Sequence, residues 1–140
     1  MKKKNSVSEF TTERNMVLLH HFRRAIAQQS RISIDRACQE AVDAPAPRFW
    51  VSELRAMRVI MKMLKGEEVL KDMYPQRRRM YEEIYRRVVE TRQKFPTVKL
   101  DDIIFDIINN PAPCSYVTVS LVKKVLSNRK NLITPRHLVP

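Results

Sequence analysis

Four cations, Arg55, Arg58, Lys62 and Lys65, stand at i, i+3, i+7 and i+10. At about 100° per residue they share an arc of about 80° on one side of a helix. A ridge of this kind presents guanidinium and ammonium donors to phosphates or carboxylates. A helix that carries it suits the major groove or the phosphate backbone of a duplex. Charge on a helix faces away from a core in any case, so a solvated face accounts for the ridge as well. Its single sign sets it apart. Only Glu53 is acidic in this stretch, and no i,i+4 partner answers the four cations. Leu54, Met57, Ile60, Met61 and Leu64 fall on the opposite side and are expected to face the core.

A second segment, 118–130, has a similar layout. Ser120, Lys123, Lys124, Ser127 and Lys130 are polar, Leu121, Val122, Val125 and Leu126 are apolar, and no residue is acidic. Serine and lysine suit phosphate contacts, which position a protein without reading sequence. Arg77, Arg78 and Arg79 open another helix, where cations oppose the macrodipole. They read equally as a phosphate clamp and as a solvated run. Arg48 precedes Phe49 and Trp50 in a proline-flanked stretch and joins the candidate nucleic-acid-binding set. Trp50 and its counterpart Tyr116 are packing anchors first and base-stacking platforms second.

Catalytic chemistry finds little support. His20 and His21 are adjacent on a helix and point apart, and His137 lies near the end of the chain. Asp101, Asp102 and Asp106 cluster, but acid in a first helical turn is stabilising by itself, and three carboxylates without further ligands hold a cation poorly. Cys38 and Cys114 have neither metal-ligand spacing nor partners for a disulfide framework. Gly66 is the only glycine, which argues against a P-loop, a dinucleotide fingerprint and tight hairpins. No cofactor, no metal and no enzyme activity is expected.

The elements that must position these residues come in two copies. Pro45-Ala46-Pro47-Arg48-Phe49-Trp50-Val51-Ser52 is echoed by Pro111-Ala112-Pro113-Cys114-Ser115-Tyr116-Val117-Thr118. Ser33-Ile34-Asp35 aligns with Lys99-Leu100-Asp101, and Phe22-Arg23-Arg24-Ala25 with Tyr85-Arg86-Arg87-Val88, which gives the second copy three extra residues. Each copy reads as a long helix, a short helix, a Pro-Ala-Pro connector and a third helix. The prolines stop the short helix, and Ser52 or Thr118 caps the next. The expected fold is all-α: two tandem copies of a three-helix unit packed about a pseudo-two-fold. A short strand pair, 48–51 with 114–117, is expected between them. The organisation is a flexible basic arm at 1–10, a first repeat at 11–66 and a linker at 67–75. A second repeat follows at 76–130, then a tail at 131–140. In the long helices the apolar stripes are Met16, Leu19, Phe22 and Ile26, then Tyr81, Ile84, Tyr85 and Val88. Glu82–Arg86 and Glu83–Arg87 are expected pairs.

Across 140 residues, 27 Lys and Arg oppose 15 Asp and Glu, a net charge of +12. The excess occurs in both halves, so it is not a basic tail on a neutral domain. A distributed excess of this size favours a polyanionic partner. No apolar run is long enough to cross a membrane, and Asn5–Arg14 lacks the apolar region of a signal peptide. The expected setting is the cytoplasm.

In outline, the succession of helix, short helix, connector and helix resembles helix-turn-helix DNA-binding proteins, which implies a DNA contact through the third helix. The connector departs from that family: about nine residues separate Val42 from Ser52, against the usual three or four. The proline-alanine-proline and aromatic-valine-serine segment also resembles small basic proteins of Bacteroidales bacteria and their phages, a likeness that implies no activity. Two functions are therefore expected. The first is a regulatory or architectural nucleic-acid-binding protein, with double-stranded DNA ahead of RNA. The second is a phage or mobile-element accessory module that docks on an acidic protein.

Overall fold

The computed structural model describes the backbone of residues 2–128 and the side chains of residues 10–128. Six helices follow one another: α1 Lys2–Gln28, α2 Ile34–Asp43, α3 Glu53–Leu64, α4 Pro75–Lys94, α5 Leu100–Ile108 and α6 Val119–Ser127. The protein is all-α. Lys130 and the 131–140 tail lie outside the described residues. The stretch expected to be an arm belongs to α1, because neither glycine nor proline occurs before Pro45 to break the helix.

The helix starts are fixed by side chains visible in the sequence. Ser33, Ser52 and Thr118 each accept from the backbone N–H three residues on, at 3.2 Å, satisfying one orphan donor per helix. Pro75 opens α4, where its missing N–H costs nothing. Gly66 follows α3 with φ 85, the left-handed conformation that ends a helix.

Chain contacts divide the molecule into two compact units. One comprises residues 1–45 and 113–140, the other residues 46–112. In the first, α1, α2 and α6 pack on one another; in the second, α4, α5 and α3 do. Neither unit matches a tandem copy. The third helix of each sequence copy packs with the first two helices of the other copy. Leu18, Cys38, Ala41, Val42, Val117 and Val122 form the core of the first unit. Tyr81, Phe49, Ile60, Ile84 and Ile104 are the largest buried side chains of the second.

Equivalent positions recur at a constant spacing of 66. Gln28 and Lys94 end the long helices, Ile34 and Leu100 begin the short ones, and Glu53 and Val119 begin the third. Leu18 and Ile84, Cys38 and Ile104, and Val42 and Ile108 are buried in register. His21 reaches the carbonyl of Pro45 at 3.1 Å, and Arg87 donates to the carbonyl of Pro111 at 3.1 Å. The three extra residues expected in the second copy are therefore absent. The Phe22-Arg23-Arg24 match was offset by three, close to one helical turn, which keeps similar faces aligned and so passes for a true match. His20-His21, not Arg23-Arg24, is the counterpart of Arg86-Arg87.

The expected strand pair 48–51 with 114–117 does not form. Its place is taken by one isolated bridge, Ala46 with Ala112, in which each N–H donates to the other's carbonyl at 3.0 and 2.9 Å. Neighbouring residues are committed elsewhere: Asn110 N donates to Ile107 O at the end of α5, and Ala44 caps α2. The flanking prolines suit a lone bridge, since they have no N–H to extend it. Arg48 braces the connector, with Nε donating to Phe49 O at 2.9 Å and a terminal nitrogen to Val51 O at 3.1 Å.

Candidate functional site

In α3, eight of twelve residues are apolar, so apolar side chains encircle the helix and periodicity alone cannot choose the buried face. Packing on both α4 and α5 selects Ala56, Val59 and Ile60, with Met63 half-buried. Of the expected face, Ile60 is buried and Met57 and Leu64 are half-buried, whereas Leu54 and Met61 are exposed, so the buried side is turned from the expected one toward Ala56 and Val59. Leu54 is 62% exposed and Met61 41%. The basic ridge is unaffected: Arg55, Arg58, Lys62 and Lys65 are all exposed. Arg58, Lys62 and Lys65 make no ion pair or side-chain hydrogen bond among the described residues.

Arg55 has a neighbour that links two expected clusters. The Tyr81 ring is buried in α4, and burial pushes its phenol pKa up. Arg77 and Arg55 act on the same hydroxyl in the opposite sense. Arg77 of the α4 opening and Arg55 of the α3 ridge thus stand around one phenol. α3 and α4 pack on each other within the second unit, so the two cation clusters belong to neighbouring helices. Arg77 and Arg79 are exposed and Arg78 is half-buried. Arg79 donates to Gln76 at 3.0 Å. Tyr74, at the N-cap of α4, supplies no side-chain cap, so the turn that bears the three arginines has N–H groups that its cap residue leaves free.

The corresponding ridge on α6 is weaker than its sequence suggests. Ser120, Lys123, Lys124 and Ser127 are exposed, but Lys123 is taken by Asp35, Nζ to Oδ1 2.6 Å, which raises the lysine's pKa. Ser127 donates to Lys123 O at 3.2 Å. At a spacing of 66, Lys124 answers Arg58, while Leu121 and Asn128 stand where Arg55 and Lys62 do. Arg48 is turned into its own connector, as described above. Trp50 and Tyr116 are half-buried.

No protein-family model, curated protein or solved structure matches this chain. No group of three metal-ligating side chains occurs among the described residues, and no helix there is long and apolar enough to cross a membrane. One open groove is lined by Met63, Val69, Leu70 and Tyr85 together with Glu67, Glu68 and Lys71. The link between Arg55 and Arg77 was not visible in the sequence, because nothing there places α4 beside α3. In the sequence Tyr81 belongs to an apolar stripe.

Proposed function

We propose that this is a non-enzymatic nucleic-acid-binding protein, regulatory or architectural, that grips the phosphates of double-stranded DNA. Its working surface is the α3 ridge with the opening of α4. The observation that carries the reading is the α3 ridge itself: Arg55, Arg58, Lys62 and Lys65 are all exposed, and α3 packs beside the arginine-bearing α4 on one unit. Unpaired, exposed cations suit phosphate contacts, which give affinity without sequence preference. The test compares variants in a fluorescence-anisotropy titration with random duplex DNA. Replacing Arg58, Lys62 and Lys65 by alanine should weaken binding at least about tenfold at low salt. Lys123→Ala should change it less, because Lys123 already has a carboxylate partner. Equal losses from both would overturn the assignment to α3.

A second reading, docking on an acidic protein, is supported by a different observation. Leu54 and Met61 lie exposed beside Arg58 and Lys65, and phosphates offer nothing to an exposed leucine. An acidic partner with apolar side chains would use both kinds of group.

A further inference from the structure

Two faces of the second unit lack partners that the equivalent faces of the first unit have. On α5, Phe105 is 51% exposed, and Asp101, Asp102 and Asp106 beside it are exposed too. None of the three carboxylates has an ion pair among the described residues. Sixty-six residues earlier, α2 has Gln39 in place of the phenylalanine, and its charges are matched within the unit. Arg36 pairs with Glu40 at 3.4 Å, Asp35 with Lys123 at 2.6 Å, and Gln39 donates to Asp43 at 3.1 Å.

The same contrast separates α3 from α6. Leu54 and Met61 are seven residues apart, two turns on one edge of α3, the spacing of a helix–helix seam. Arg58 stands four residues after Leu54, and Lys65 four after Met61, so a cation adjoins each apolar side chain. At the equivalent positions α6 has Ser120 and Ser127. One unit has the ordinary solvated surface at both places. The other has an acidic apolar face and a basic apolar edge, which complement each other.

We infer that a second copy of this chain covers them. The α5 face of one copy docks on the α3 edge of another, Phe105 against Leu54 and Met61, the carboxylates against Arg58 and Lys65. Such a contact made twice about a two-fold axis closes a dimer. This names the acidic partner of the second reading and rests on it. Arg55 and Lys62, on the far side of the α3 ridge, and Arg77 of α4 take no part.

The test is sedimentation equilibrium of the full chain without nucleic acid, from micromolar to millimolar protein. The chain should pass reversibly from monomer to dimer. Phe105→Ser and Leu54→Ser should each raise the dissociation constant about tenfold, as expected for a central apolar anchor. Both positions are exposed, and unchanged helical circular dichroism would show that the fold is kept. A Asp102→Lys, Asp106→Lys chain and a Arg58→Glu, Lys65→Glu chain should each stay monomeric alone and pair when mixed. A chain that stays monomeric throughout would overturn the inference, and so would self-association that survives Phe105→Ser and the charge reversals. If the monomer still binds duplex DNA, only this inference fails. If self-association holds and DNA binding is absent, only the nucleic-acid reading fails.

Discussion

Arg48 shows how one side chain's geometry can redirect a charge. In the sequence it belongs with the other arginines; in the structure its guanidinium bonds two carbonyls of its own connector. Arg48→Ala should lower stability by about 1–2 kcal/mol in urea denaturation and leave DNA affinity almost unchanged. Ser52→Ala removes a helix cap and should cost about 1 kcal/mol in the same measurement. Glu83 carries a pH dependence. It accepts from Arg86 at 2.6 Å and Arg87 at 2.8 Å, and the bond from Arg86 leads the influences that hold its pKa below the usual carboxylate value. The group's folded pKa is depressed, so its stabilisation is complete above the ordinary carboxylate range. It fades as pH falls through the folded value. A Glu83→Gln chain should lose less stability than the parent between neutral and acid pH. An equal loss would show that this cluster does not set the acid sensitivity. Of the expected pairs, Glu83–Arg87 forms, whereas Arg86 turns from Glu82 to Glu83 and Glu90; periodicity permits each of these partners.

At the scale of elements, caps and breakers were legible and faces only in part: the α4 stripe of Tyr81, Ile84 and Val88 is buried as expected, whereas the stripes of α1 and α3 are shifted. Ser33, Ser52, Thr118 and Gly66 act locally, so their roles could be read from neighbouring residues alone, whereas Pro75, expected in the linker, opens α4. The faces of α1 and α3 depend on what packs against them. Met16 was expected inside and is exposed, while Leu18 is buried. In α3 the surplus of apolar residues left the choice to α4 and α5. The exchange of third helices between the sequence copies was not legible at all, since tandem and exchanged packing bury the same pattern. It has a direct consequence. Ile60 is fully buried with α4 and α5 as its helix neighbours, so Ile60→Ala should destabilise by about 2–5 kcal/mol. In native-state hydrogen exchange, protection should fall first in 75–108, not in 14–43. Loss in α1 and α2 first would contradict the exchange.

For the whole molecule, the net charge of +12 pointed to a polyanion without saying where it would bind. The structure divides the cations by use. Arg48, Arg86, Arg87 and Lys123 hold internal partners, while Arg58, Lys62 and Lys65 have no ion pair among the described residues. The sequence revealed the ridge because helical spacing alone defines it. It could not reveal the joining of α3 to the opening of α4, which depends on a long-range contact. The most direct test is the salt dependence of binding to random duplex DNA, measured for the full chain. Four or five neutralised phosphates predict that log K falls against log salt with a slope of roughly −4. Alanine at Arg58, Lys62 and Lys65 should flatten that slope by about 3. A slope near zero in the parent chain, or one unchanged by the triple substitution, would contradict the assignment of this surface to nucleic acid.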